Sequence, residues 1–311
     1  MDDPDTIAAA TPDRTPDTTQ DLPEARGPLA RPKPPSVQPP PGACDTHVHM
    51  VGGPADLPLP PRAEPGRPAY RGGFEDWLDI FRDHMEALGL SRGVIVQSPL
   101  FGSDNAVTAE TLRRLGHGFR GVGLVQEGAG GDALDRLSRA GMIAVRIDLI
   151  RHGAAAWREA ERLAPLLADR DMHIELRAEA EAHLPELQDQ IAGLPVPVAV
   201  EHLGRPDVAA GTDAPGFAML RRLVENGTWV KLSGVYRVAS PPYAAADPFV
   251  AALVEANGER CLWGSDWPHL GAPGAEPPDA GQLVDAFHQA VPDAGSRQRI
   301  LVDNPAALYG F

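Results

Sequence analysis

Eight short apolar runs recur along the chain with amphipathic stretches between them, and this alternation sets the first expectation. The runs are ACDTHVHM, RGVIVQS, RGVGLVQ, IAVRIDL, HIELRAE, VPVAVEHLG, TWVKLSG and CLWGSDW. They are short and rich in Val, Ile and Leu, as strands buried on both faces are. The stretches between them carry helical spacing. In FEDWLDIFRDHMEALGL the apolar positions Phe74, Trp77, Leu78, Phe81, Met85 and Leu88 fall on one face. NAVTAETLRRLG, DALDRLSRAG, AAWREAERLAPLLADR, EAHLPELQDQIAG, PGFAMLRRLVENG and DPFVAALVEAN read the same way, several ending in Gly or Asn-Gly as helix C-termini favour. Eight strands alternating with helices over ~270 residues are what a (β/α)8 TIM barrel requires. A doubly wound open sheet is the rival, but no glycine-rich dinucleotide turn and no phosphate-loop pattern occurs.

Residues 1–40 break the pattern. They hold ten prolines and no apolar period, so a disordered tail is expected there, followed by one barrel domain over 41–311. The chain has 311 residues and a formal charge of -15. So acidic a protein is a poor partner for nucleic acid or an anionic membrane, both of which need basic surface. No apolar run approaches the ~20 residues of a membrane span, and the acidic start lacks a secretion signal. A cytoplasmic, small-molecule protein is expected, with homo-oligomerisation open. Cys44 and Cys261 each open an apolar run and are expected to be buried free thiols.

In a closed barrel, chemistry gathers at the carboxyl ends of the strands. There the sequence puts His47 and His49 on strand one, Arg146 and Asp148 on strand four, and Glu175 and Arg177 on strand five. Glu201 and His202 follow on strand six, Lys231 and Ser233 on strand seven, and Ser265 and Asp266 on strand eight. Strand alternation sends His47 and His49 to the same side. Ionisable groups in apolar strands are costly unless paired or functional, so His47, His49, His202 and Asp266 are the candidate catalytic set.

DTHVHM, EHLGRPD, WVKLSGVYR, LWGSDWPH and LVDNPAALYG, in that order over residues 41–311, resemble the amidohydrolase superfamily, specifically its 2-pyrone-4,6-dicarboxylate lactonase-like branch. The resemblance implies a (β/α)8 barrel that hydrolyses or rearranges small, usually acidic, lactones; the branch also includes sugar-acid lactone isomerases. It implies that Arg146 and Arg237 bind substrate carboxylates. The chain departs from the branch at Arg151-His152, where a Lys-Arg pair is expected, and at Arg177, where a tyrosine is expected. An anionic lactone therefore fits better than the pyrone dicarboxylate itself.

Two roles compete for the histidines. With Asp266, and with His202 in reach, His47 and His49 could hold one divalent metal such as zinc or manganese that acidifies a bound water. A binuclear centre is improbable, because strands four and five offer Arg146 and Arg177, which cannot ligate a cation. They also put positive charge near the place a cation would sit: two unit charges ~4 Å apart repel by roughly 4 kcal/mol at an effective dielectric of ~20. The resembled branch works without metal, its histidines donating hydrogen bonds to the substrate carbonyl, and no metal or other cofactor is the favoured reading. Asp266 is then the general base that takes a proton from water and hands it to the leaving oxygen.

Tyr70, on the long loop after strand one, and Ser98, after strand two, are further candidates to touch substrate, as is His269 beside Asp266. Asn105 is expected to cap the helix that follows it, and Trp267 to line the site or pack. A metal-dependent decarboxylase or hydratase on the same barrel remains an alternative, and so does a non-catalytic binding barrel.

Overall fold

The computed structural model describes residues 31–51, 73–269, 272 and 276–311. Tyr70 and the rest of the long loop after the first strand lie outside them. The strands are β1 Cys44–Val48, β2 Arg92–Val96, β3 Phe119–Gly123, β4 Met142–Asp148, β5 His173–Arg177, β6 Val198–Val200, β7 Trp229–Leu232 and β8 Cys261–Trp263. All pair in parallel in the order of the chain. The helices are α1 Phe74–Leu88, α2 Ala106–Leu115, α3 Gly131–Arg139, α4 Leu149–Ala168, α5 Ala180–Ala192, α6 Pro215–Glu225, α7 Asp247–Asn257, α8 Ala280–Ala290, α9 Ala294–Gln298 and α10 Asn304–Tyr309. The expected (β/α)8 barrel is therefore what the chain forms. Among the described residues no helix is long and apolar enough to cross a membrane.

Closure comes just beyond β8. The Asp266 amide donates to the His47 carbonyl (2.9 Å) and the His49 amide to the Trp267 carbonyl (2.7 Å), joining the last strand's extension to the first. The outer faces of the strands pack under the helices in one apolar layer that includes Leu78, Phe81, Ile95, Leu163, Leu176, Phe217 and Leu283. Cys44 and Cys261 are buried free thiols, and burial pushes both well above the usual thiol range.

The boundary of the expected tail needs correction. Residues 1–30 lie outside the described residues, but 31–40 run as extended chain over α1 and α8, with Pro32, Pro35 and Pro39 buried. The Lys33 amide donates to Asp279 (3.2 Å), and the Ser36 amide and hydroxyl both donate to Asp285 (2.7 and 3.0 Å). A Cβ on Gly281 would fall 2.0 Å from the Lys33 carbonyl oxygen, so this glycine is what lets the segment approach α8. Proline, which made the stretch look unstructured, is the residue that packs without needing backbone donors.

Asn105 is the second correction. It sits at the start of α2, but its side chain does not cap that helix. Its Oδ1 accepts from the Leu124 amide (2.9 Å), and its Nδ2 donates to the Ser103 and Leu124 carbonyls (both 2.8 Å). It ties the loop after β2 to the end of β3, and Asp104 caps α2 instead through the Ala106 amide.

A chain beginning at residue 41 should melt below one beginning at residue 31. Hydrogen bonds to charged acceptors contribute ~1.5–3 kcal/mol each before ordering costs, so the net loss should be at least ~1 kcal/mol. That is a fall of ~2 °C or more by calorimetry.

Candidate active site

Three strand ends bring the catalytic candidates together. From β1, His47 and His49 lie edge to face with ring centroids 4.9 Å apart, and His202, just after β6, is 4.6 Å from His47. Asp266, just after β8, lies among them. Its Oδ1 is 3.3 Å from His49 Nε2 and 3.8 Å from His47 Nε2, and its Oδ2 is 4.0 Å from His202 Nε2. All four side chains are buried. The backbone here is unusual for L-residues: His202, Leu203, Arg205, Asp266 and His269 all have positive φ, between 48 and 65°. Such strained conformations persist where the surroundings hold them and collect at functional sites; here they turn the side chains inward past the strand ends.

The two oxygens of Asp266 have different surroundings. Oδ2 accepts from the Tyr236 hydroxyl (2.6 Å) and from Arg237 Nε and Nη2 (2.9 and 2.8 Å). Oδ1 makes no hydrogen bond to any described residue, and neither does His47 Nε2. Burial alone would raise the carboxyl's pKa, but the Arg237 charge outweighs it and holds Asp266 well below the usual carboxylate range. Burial, reinforced by the Lys231 ammonium, holds His47 neutral. Burial does the same for His202, with Arg237 and Arg146 beside it.

The arginines are not spread around an open mouth. Arg146 forks onto both oxygens of Glu201 (2.7 and 2.6 Å) inside the barrel, and Arg177 Nη1 pairs with Asp148 (2.6 Å) across adjacent strands. A cavity of about 350 Å³ opens beside Arg146, lined also by Arg151, His152, Glu127, Asp148 and Glu159. Ser98 is buried and accepts from the Leu100 amide. His269 is buried against the Tyr236 ring at 5.3 Å, and burial lowers it to about 3. Trp267 packs against Trp77, Phe81 and His84, so packing accounts for it. The spacing of the chain singled out neither Tyr236, whose signal was its place in SGVYR next to Arg237, nor the Lys231–Glu175 pair as part of the site.

Two sets of side chains have donor atoms close enough to share a cation: His47, His49 and Asp266, and His47, Glu201 and His202. The expected repulsion from Arg146 and Arg177 is weaker than the sequence suggested, because each is neutralised by its carboxylate. The obstacle is His47, which both sets share. A ligating histidine turns its second nitrogen, as N–H, to a carbonyl, carboxylate or water. His49 does so, with Nδ1 2.8 Å from the Val96 carbonyl. His47 Nδ1 instead faces the Lys231 ammonium at 3.4 Å, which can only donate. In this arrangement the residues do not fit a metal held through His47 Nε2.

The family model described as Amidohydrolase matches residues 44–311. The chain belongs to this family. It is 36% identical over 301 residues to 4-sulfomuconolactone hydrolase of Rhizobium radiobacter, covering 93% of this chain and 97% of the relative. It is 33% identical over 294 residues to 2-pyrone-4,6-dicarboxylate hydrolase of Comamonas testosteroni, covering 90% and 94%. An apo crystal structure from Agrobacterium tumefaciens superposes with a TM-score of 0.76 at 27% identity, covering 89% of this chain and 98% of that one. The resemblance drawn from the five sequence blocks, and the hydrolase class that it implied, agree with these relatives.

Removing Arg237 should change the acidity of Asp266 more than its position, since Tyr236 still holds Oδ2. An opposite charge at this range lowers a carboxylate by ~1–3 units. In wild type, Asp266 stays ionised until well below the usual carboxylate range and its stabilising pairing is lost only as pH falls through that lowered value. With Arg237→Met, the acid limb of the pH–rate profile should move up by ~1–3 units. Arg146→Met should leave Glu201 buried and unpaired and cost ~3–5 kcal/mol in denaturant unfolding, with part regained on adding Glu201→Gln.

Proposed function

We propose that this chain hydrolyses the ring ester of a small anionic lactone without a metal ion. The observation that carries the reading is Asp266 Oδ1: a buried, ionised oxygen with no hydrogen bond to the described residues, set between two histidine Nε2 atoms. The named activities of the two curated relatives support a lactone as the substrate.

The site divides the labour as follows. In the Nδ1–H tautomer that the Val96 carbonyl selects, His49 presents an Nε2 lone pair beside Asp266 Oδ1. A water seated against both would donate one hydrogen to each, which orients its oxygen lone pair at the substrate carbonyl. The sequence had grouped His49 with the carbonyl donors; its bond to Val96 favours this water-orienting role. As water attacks, Asp266 Oδ1 takes its proton, and the carbonyl oxygen gains negative charge that buried donors stabilise. His47 and His202 flank that position. Collapse of the tetrahedral intermediate breaks the ring C–O bond, and Asp266 returns the proton to the leaving oxygen. Water has been added across the ester and the carboxylate is restored.

Preference for an anion rests on Arg237 beside Asp266 and on Arg146 and Arg151, which line the cavity together with Glu127, Asp148 and Glu159. Arg177, satisfied by Asp148, is the weakest member of this group.

Assay of purified protein on lactones with and without a ring carboxylate tests the reading. Turnover should favour the carboxylated substrates and persist in excess chelator. Asp266→Asn should keep the fold and lose at least ~10²-fold in kcat. Loss of activity on chelation, restored by zinc or manganese, would make His47, His49 and Asp266 ligands instead.

A further inference from the structure

Beneath the histidines, inside the barrel, lies an ionic cluster that the reaction as described leaves unused. Lys231 projects inward from β7 with its side chain fully buried. Its Nζ donates to the Thr46 carbonyl (2.7 Å) and to the Glu175 carboxylate from β5 (2.6 Å), and lies 3.4 Å from His47 Nδ1. The Tyr309 hydroxyl donates to the second oxygen of Glu175 (3.0 Å). Thr46, Glu175 and His47 are themselves fully buried.

An ammonium has three hydrogens and no lone pair. Four acceptor atoms surround this one: the Thr46 carbonyl, both Glu175 oxygens at 2.6 Å and, farther off at 3.4 Å, the imidazole Nδ1 of His47. An ammonium facing Nδ1 at 3.4 Å can only donate to it, so the contact favours the ring form with its lone pair on Nδ1, and a neutral imidazole of that form holds its hydrogen on Nε2. That Nε2 faces the reaction centre and has no hydrogen-bond partner among the described residues. His49, two residues on and just past the end of β1, is set the other way by the Val96 carbonyl.

We propose that Lys231, held by Glu175, is a positioning residue that fixes His47 as an Nε2–H donor to the oxygen that becomes negative in the transition state. Its charge is not used in the chemistry; it selects one tautomer of the ring above it. A donor held ready in this way acts on the developing oxyanion more than on the ground-state carbonyl, so its loss falls on kcat rather than KM. The inference rests on the lactone-hydrolase reading for the identity of the acceptor, but not for the tautomer.

The test joins NMR to kinetics. In 15N-histidine-labelled wild type, the His47 resonances, assigned by their loss in His47→Gln, should show a protonated Nε2 and an unprotonated Nδ1. A protonated Nδ1 would overturn the proposal without any substrate. Lys231→Met combined with Glu175→Gln removes both charges together, so no uncompensated ion is buried. In that variant the Nε2–H preference should be lost, kcat on a carboxylated lactone should fall ~10²-fold, the scale for one oxyanion donor, and KM should change by less than about threefold. An unchanged tautomer, or unchanged kcat with the tautomer altered, would overturn it. If the double variant does not fold, the wild-type spectrum still decides. A wild-type protein inactive on every lactone but with His47 in the Nε2–H form would refute the substrate reading and leave the tautomer assignment standing.

Discussion

Two backbone hydrogen bonds between the first and last strand ends hold the active site together. The Asp266 amide on the His47 carbonyl and the His49 amide on the Trp267 carbonyl close the barrel at the height where the chemistry sits. They place a carboxylate within 4 Å of both histidines of β1. Gly264 permits this approach, since a Cβ there would lie 2.8 Å from the His47 amide nitrogen and Cβ. If that seam opened, Asp266 would face water, its Arg237 pairing would be screened, and the separation of roles between its two oxygens would disappear.

Inside the closed barrel every cation described here is paired with a carboxylate from another strand or its following loop: Arg146 with Glu201, Lys231 with Glu175, Arg237 with Asp266. A lone buried charge would be prohibitively costly, and pairing offsets most of that cost without supplying much net stability. The pairs contribute orientation. Each one fixes a side chain that has long, flexible bonds, and each ends beside a histidine or Asp266. Burial raises Glu175 while Lys231 draws it down to about 2, so this carboxylate stays ionised at neutral pH. Its oxygens hold the Lys231 Nζ in place 3.4 Å from His47 Nδ1.

The same pairing changes how the arginines are to be understood. From their positions they look like a row of substrate clamps, yet Arg146 gives its fork to Glu201 and Arg237 gives two nitrogens to Asp266. An incoming anion meets guanidinium groups whose best bidentate faces are already used. Arg146 and Arg237 therefore tune and orient the residues they hold.

Much of this protein was legible in the chain before any coordinates. The alternation of apolar runs with helical stretches led to the (β/α)8 barrel, because strand and helix periods depend only on local spacing. The strand-end rule led to His47, His49, His202 and Asp266, because a barrel presents all its carboxyl ends at one face. Contacts between strands distant in sequence decided the rest. No spacing reveals that Lys231 on β7 reaches His47 on β1, that Arg146 is spent on Glu201, or that Asn105 joins the loop after β2 to β3 instead of capping a helix. Nor does composition show that Pro32, Pro35 and Pro39 are buried in a segment tied to α1 through Arg31 and to α8 through Ser36. Local pattern specifies which way a side chain points, but which partner it meets depends on where the closed barrel brings the other strands.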